Sequence, residues 1–388
     1  MKAQTASTLA AVEPDAWDAL APGALYSSHA WLSFLEHDGD ADVGYVIVED
    51  RGRLLAAMPF AHVRREGNAL YDWSGLLRAR GLVPSDGERL IAGPRRGYQT
   101  QLLTASDADE QRTLEAVTLL LDELDAEVRE RSLAGALALY ADTATARLIR
   151  AARPDATVAH IAHDAWIELP GTRVSDHLDG LGAHRRARVR REMAAFAAAG
   201  YRCEHATLEA AAGEAGPLLA RTQERHGHPA DPDSLTRSLR AQGRAMGDAA
   251  EVLLLRHGGP ALGFVSFYCR HDTVFLRAAG FDHERLLGAA EYFNLAYHLP
   301  MALAYARGLR RMHAGIEATE AKALRGARTR PLWLVDLDDA VEPGPAARHN
   351  ATVADGLRGG PPAVVRAVDA GAWDPFATVA EVRGPART

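Results

Sequence analysis

The ten residues Phe281-Asp-His-Glu-Arg-Leu-Leu-Gly-Ala-Ala290 contain the pattern Arg285-x-x-Gly288-x-Ala290. They follow a predicted strand and open a predicted helix. Small residues let an anion approach the backbone, and a helix start offers unpaired N–H groups and the positive end of its dipole. Arg285, Gly288, Ala289 and Ala290 are therefore expected to cradle a phosphate of a bound donor. An ordinary strand-to-helix turn is the competing reading.

A second candidate is Gly315-Ile-Glu-Ala-Thr-Glu-Ala-Lys-Ala-Leu-Arg-Gly326. Of 44 basic residues only Lys2 and Lys322 are lysine, so an interior lysine departs from the chain's own habit. Lys322 and Arg325 are suited to bind a carboxylate or phosphate, or to stabilise a developing oxyanion. Glu317, at the predicted end of a strand, is suited to take a proton from an attacking ammonium. Tyr268, on a predicted central strand, is a candidate general acid, with a core tyrosine as the competing reading. A solvated short helix would also account for the charges of 317–325.

The third candidate is Ala183-His-Arg-Arg-Ala-Arg-Val-Arg-Arg-Glu192. Arg185 and Arg188 are spaced i,i+3, and Arg186 and Arg190 i,i+4, so a helix carries them around much of its circumference. Such a patch in an acidic chain suits a polyanion, a nucleotide or the acceptor end of a tRNA, with His184, Arg185, Arg188 and Arg191 as its expected contacts. A solvated face paired with acidic neighbours competes with that reading. In the first half, Pro94-Arg-Arg-Gly-Tyr-Gln99 reads as a substrate-facing loop without a fixed chemistry. His226 and His228, near Pro229, read as a surface pair.

The elements that must position these residues repeat. Strands are predicted over 42–49 and 54–63, a long amphipathic helix over 109–132, and strands over 136–140 and 158–169. In the second half, helices over 174–199 and 214–226 precede strands over 251–256, 261–270 and 273–280. A helix over 289–307 follows, kinked at Pro300, then strands over 311–317 and 332–337. Helices, an antiparallel meander, a helix and a strand thus occur twice. The expected domains are 1–160 and 161–340, followed by a loosely packed Ala/Gly/Pro-rich tail over 341–388.

The 388 residues, 47% hydrophobic and 24% charged, exclude a disordered chain and allow two domains. A net charge of −7 argues against a duplex-nucleic-acid binder and confines any such role to a local patch. Cys203 and Cys269 form no disulfide framework, and no Cys/His spacing resembles a metal site, so no metal is expected. The start of the chain lacks signal-peptide character and no apolar run is long enough for a membrane span. A cytoplasmic protein is the expectation.

Together these pieces resemble the FemAB-like branch of the GNAT superfamily over roughly residues 20–340. The resemblance rests on Trp31-Leu-Ser-Phe-Leu35, on the basic helix 184–191 ending before Gly200-Tyr201, and on Gly263-Phe-Val-Ser-Phe-Tyr268. It also rests on Gly308-Leu309, Gly315 and Lys322-x-x-x-Gly326. It implies an α/β (α+β) protein of two tandem GNAT-like domains, each a mixed, mainly antiparallel sheet flanked by helices. The implied activity is acyl transfer to an amine, with Lys322, Arg325 and the Arg285 loop facing the donor or an anionic acceptor. The implied co-substrate is aminoacyl-tRNA, acyl-CoA or a carrier-protein thioester, with no permanently bound cofactor. The long coiled-coil insertion of peptidoglycan-bridge enzymes is missing, which points away from a cell-wall precursor as acceptor. The expected reaction is aminoacyl transfer from aminoacyl-tRNA to a small-molecule or peptide amine in specialised metabolism. Its rivals are acyl-CoA-dependent N-acylation and a non-catalytic scaffold that binds an anionic ligand.

Overall fold

The computed structural model describes all residues except 21, 38–40, 374–375 and 377–388. Its strands are β1 (Lys2–Ala6), β2 (Asp42–Asp50), β3 (Arg53–His62), β4 (Arg89–Ala92), β5 (Leu103–Thr104), β6 (Gly135–Ala141) and β7 (Thr157–Glu168). They continue with β8 (Arg202–Thr207), β9 (Ala250–Arg256), β10 (Ala261–Arg270), β11 (Thr273–Phe281), β12 (Arg311–His313) and β13 (Arg328–Asp336). The chain divides into two compact units, 1–164 with 329–388, and 165–328.

The sheet of the first unit runs β1-β2-β3-β4-β6-β13-β7, with β5 on β3. Its meander β1-β2-β3-β4 is antiparallel, β4 and β6 are parallel, and β13 is antiparallel to β6. The helix Glu110–Glu130 buries Val117, Leu120, Leu121 and Leu124, which recur at helical spacing. Asp142 caps the helix Thr143–Ala152, its Oδ1 accepting from the Thr145 amide at 2.7 Å.

The second unit repeats this plan. Residues 165–168 of β7 pair with β12, β12 is parallel to β11, and β11-β10-β9-β8 is antiparallel. The β10–β11 hairpin turns at His271-Asp272, with His271 at φ 54°. Helix Leu208–Arg225 packs directly on β11, because a Cβ on Gly280 would stand 2.5 Å from the Leu218 backbone. Ile167, Leu255, Phe267, Val274, Met301 and Met312 form the core between sheet and helices.

The strand order does not follow the two sequence repeats. β13, from the end of the second repeat, lies beside β6 of the first, and the last residues of β7 lie beside β12 of the second. Packing therefore places the described residues from 329 onward with the first unit, where the sequence reading has a 161–340 domain and a separate tail. Nor are residues 341–373 loosely packed. They form the helices Pro343–Arg358 and Pro362–Ala367, and Trp373 is fully buried against Trp333. Asn350 pins the first of these to β7, accepting from the His160 amide and donating to the Val158 carbonyl, each at 2.8 Å. The remainder of the expected tail, 377–388, lies outside the described residues.

Three other expectations change. The helix predicted over 174–199 is two, Val174–Asp179 and Ala183–Ala198, parted by Gly180 and Gly182. The region after His228 contains an unforeseen helix, Pro232–Met246, started by Asp231, whose carboxylate accepts from the Asp233 and Ser234 amides. β12 stops at His313, so Glu317 lies past the strand in a turn. Among the described residues, no helix is long and apolar enough to cross a membrane and no cluster of three or more His, Cys, Asp or Glu could hold a metal ion.

Candidate functional site

The site is built around the helix Ala183–Ala198. Its N-cap is Gly182, without a side-chain cap, and its first turn holds no acid. Arg185 therefore sits at the positive end of the helix dipole, an unfavourable place for a cation of about 0.3–1 kcal/mol. Arg185 Nη1 donates to the Ala323 carbonyl at 3.1 Å, and Arg186 donates to the Asp179 and Leu181 carbonyls. Arg188 is half-buried, and Arg190 and Arg191 are exposed. None of these three has a carboxylate within salt-bridge distance among the described residues. Arg186, by contrast, has the Asp179 carboxylate at 3.9 Å.

Glu192, one turn further on, is the node of the site. Its carboxylate accepts from His298 Nε2 at 2.9 Å and from Arg325 Nη2, and its backbone carbonyl accepts from Asn294 Nδ2 at 3.0 Å. Burial would raise its pKa, but the hydrogen bonds and charges of His298 and Arg325 outweigh burial and hold it below the usual carboxylate range. Asn294 and His298 reach one partner because residues Asn294–His298 form a π-helical turn. Pro300 has no N–H to give the helix, and Leu299 N–H instead bonds Asn294 O, five residues back. The kink expected at Pro300 thus appears one turn earlier, as a widened turn at the site.

Arg325 is only 2% exposed. Besides Glu192 it donates to the Ala321 carbonyl at 2.7 Å and lies over Phe293. The guanidinium expected to face the donor is thus packed among protein groups. The Gly326 next to it has φ 96°, and a Cβ there would stand 2.8 Å from the His177 ring, so the glycine is required.

Lys322 is also 2% exposed. Its ammonium donates to the Gly315 carbonyl at 2.9 Å and to the Ile316 carbonyl. The ammonium expected to donate to an oxyanion is thus engaged by two backbone carbonyls. What it positions is a strained turn, with Gly315 at φ 74°, Glu317 at 67° and Ala318 at 49°. Two consecutive non-glycine residues in the left-handed region cost about 1–2 kcal/mol each, and such strain gathers at functional sites. Glu317 is carried on this turn with its side chain exposed.

Tyr268 is fully buried, its hydroxyl donates to Gln242 Oε1 at 2.8 Å, and burial pushes its pKa well up. This placement matches the competing core-tyrosine reading. Neither cysteine is poised as a nucleophile. Burial raises Cys203, and burial with the neighbouring Glu251 pushes Cys269 up to about 12.

The Arg285 loop sits where the sequence placed it, between β11 and the helix. Gly288 has φ 75° and Ala290 has φ 58°. Arg285 is half-exposed, 3.8 Å from Asp282, which also accepts from Arg221. Tyr201 Oη donates to Glu291 Oε1 at 2.7 Å and accepts from the Leu287 amide at 2.9 Å.

The structure thus brings together the arginine helix, the 315–326 segment and the π turn. Tyr268 lies against another helix, and Arg285 pairs within its own loop. Sequence reasoning missed Glu192, Asn294, His298 and Glu291. The one signal available was Pro300 in an otherwise helical run. In the first unit, the Pro94–Gln99 loop contributes Arg95 to a cavity of about 200 Å³, lined also by Arg64, Glu66, Asp72, Trp73 and Arg89. Arg95 Nε lies 3.5 Å from Glu66 Oε2.

Residues 8–336 match the FemAB-like family, described by the phrase peptidoglycan biosynthesis/recognition. The chain belongs to that family. It is an acyltransferase with the double GNAT fold, a mixed α/β architecture of mainly antiparallel sheet flanked by helices. Among solved structures it is similar to FemX, with a TM-score of 0.59 at 10% identity over 90% of this chain and 99% of that one. It is also similar to L-PGS from Bacillus licheniformis, with a TM-score of 0.52 at 12% identity over 84% and 91%. At such identities these likenesses bear on the fold alone. No curated protein matches the sequence. FemAB-like and GNAT proteins use aminoacyl-tRNA or acyl-CoA as co-substrate.

Proposed function

We propose that this FemAB-like protein transfers an aminoacyl group from aminoacyl-tRNA to the amine of a small molecule or peptide. The observation that carries the reading is the helix Ala183–Ala198, with Arg188, Arg190 and Arg191 unneutralised by carboxylates and cations crowded at its N-terminus. That arrangement lowers helix stability and is explained by a polyanionic partner, which the phosphates of a tRNA acceptor stem supply. His184, Arg185, Arg188 and Arg191 are the docking residues.

In the proposed reaction the acceptor amine attacks the ester carbonyl of the aminoacyl-tRNA. An N–C bond forms, the C–O bond to the ribose breaks, and the proton leaving the nitrogen passes by way of Glu317 to the ribose oxygen. Glu317 is suited to this because its exposed carboxylate is fixed on a turn held by Lys322. With both thiols held protonated, a direct attack needs no covalent enzyme intermediate.

The test is incubation of the purified protein with tRNA charged with labelled amino acids and a panel of amines, dipeptides and amino acids. Label should move from RNA to amine only in the presence of protein, and ribonuclease pretreatment should abolish the transfer. Absence of any tRNA-dependent product across the amino acids would refute the reading.

A further inference from the structure

The residues between β11 and the following helix make a backbone anion cradle that is already filled. Left-handed residues at Gly288 and Ala290 turn successive amides toward one point, the arrangement that binds phosphates when that point is open. Here the Glu291 carboxylate takes the point. It accepts from the Tyr201 hydroxyl at 2.7 Å. Burial would raise its pKa, but the nearby amides of Ala289, Glu291 and Leu287 and the Tyr201 hydroxyl outweigh burial and lower it. Leu287 N–H is at the same time 2.9 Å from Tyr201 Oη, so one hydroxyl closes the cradle over the carboxylate. Glu291 is 4% exposed. The loop's cation is neutralised in the same way, with Arg285 beside Asp282. A diphosphate entering here would have to expel a buried carboxylate or lie against it, like charge on like charge.

We propose that Glu291 is the built-in occupant of this cradle and sets donor specificity by denying the loop to the diphosphate of a coenzyme A-type donor. This deepens the acyl-transfer reading above and rests on it, since it leaves the RNA-borne ester, docked through the arginine helix, as the donor the enzyme can use. Tyr201 is a positioning residue that holds the carboxylate in place.

The experiment is isothermal titration of the full chain with coenzyme A and with adenosine 3′,5′-bisphosphate, which keeps phosphate chemistry but lacks the diphosphate and the thiol arm. The wild type should bind coenzyme A no tighter than about 1 mM. Glu291→Ala should tighten coenzyme A binding by about tenfold or more, with less effect on the bisphosphate, and adding Arg285→Ala should reverse the gain. Should Glu291→Ala fail to fold by circular dichroism, Glu291→Gln, which keeps shape and removes charge, should still show a gain. Coenzyme A binding by the wild type below about 100 µM that is lost in Arg285→Ala would overturn the proposal. So would a folded Glu291 variant with no gain. Those outcomes are separable from the previous reading. Failure of tRNA-dependent transfer would remove the RNA donor and leave Glu291 as the occupant of the cradle, whereas wild-type coenzyme A binding would remove the Glu291 role and leave the tRNA assay to stand by itself.

Discussion

The guanidinium carbon of Arg325 lies 3.2 Å from the ring centroid of Phe293, while one of its nitrogens donates to Glu192. A cation held face-on over an aromatic ring and end-on to a carboxylate is fixed in all three directions. Three separate segments, 183–198, 291–298 and 319–326, are tied at this one side chain.

Removing one partner leaves a buried charge uncompensated, and Glu192→Ala is expected to destabilise the protein by about 3–5 kcal/mol. Glu192→Gln keeps an acceptor oxygen for His298 or Arg325 and should cost less. Urea denaturation followed by tryptophan fluorescence and by circular dichroism measures both. Equal losses for the two variants would show that charge is not what matters at this position.

Arg188→Ala and Arg191→Ala should leave stability within about 0.5 kcal/mol, as surface-type changes do. Each should weaken tRNA binding and reduce the slope of log affinity against log salt by about 1. Filter binding between 50 and 300 mM salt, an illustrative range of about that size, reads the slope. An unchanged slope would remove these residues from any RNA interface.

At Glu317 stability and activity should move in opposite directions. Glu317→Gly relieves a left-handed conformation at φ 67° and should stabilise by about 0.5–1 kcal/mol after the glycine entropy term is subtracted. It should also lower kcat by about 10²-fold or more if the carboxylate accepts the proton. Steady-state kinetics beside thermal melts checks both signs, and full activity in the variant would rule out the proposed base.

Tyr268→Phe removes a hydroxyl bonded to Gln242 in the core. A loss of about 1 kcal/mol in stability with kcat unchanged is expected. A large drop in kcat with stability intact would restore Tyr268 to the chemistry.

His163 in the first unit has its pKa lowered by burial, and secondarily by the Arg80 charge, from 6.5 to about 4. The unfolded chain therefore binds more protons than the folded one between those values, so stability falls as pH drops from about 6.5 toward 4. His160, buried beside it with ring centroids 4.6 Å apart, is shifted in the same direction. His163→Phe should flatten the stability–pH profile in that window, as measured by denaturant midpoints at each pH.

Much of this was legible in the sequence because it rests on local rules. The strand alternation of 42–63 and 251–280, the Gly200 helix end and the strand–loop–helix around Gly288 are set by neighbours in the chain. The partners of charged side chains are set by packing. Lys322 was conspicuous as a residue type, yet nothing near it in sequence said that its ammonium would bond the carbonyls of Gly315 and Ile316. Glu291 falls inside the helix predicted over 289–307, and only the folded loop brings its carboxylate to the Tyr201 hydroxyl. Glu192 reads as one more surface acid until Arg325, 133 residues away, arrives beside it.

The strand order around β7 and β13 has a practical meaning for anyone who wishes to handle the halves separately. No single cut releases either unit whole, because the first needs chain from both sides of the second. A fragment ending near residue 164 would expose the unpaired edge of β6, and a fragment starting at 165 would keep only a stub of β7 beside β12. Open edges of that kind recruit strands from other molecules. The halves would therefore be sticky when made singly, and would be expected to restore one another when mixed.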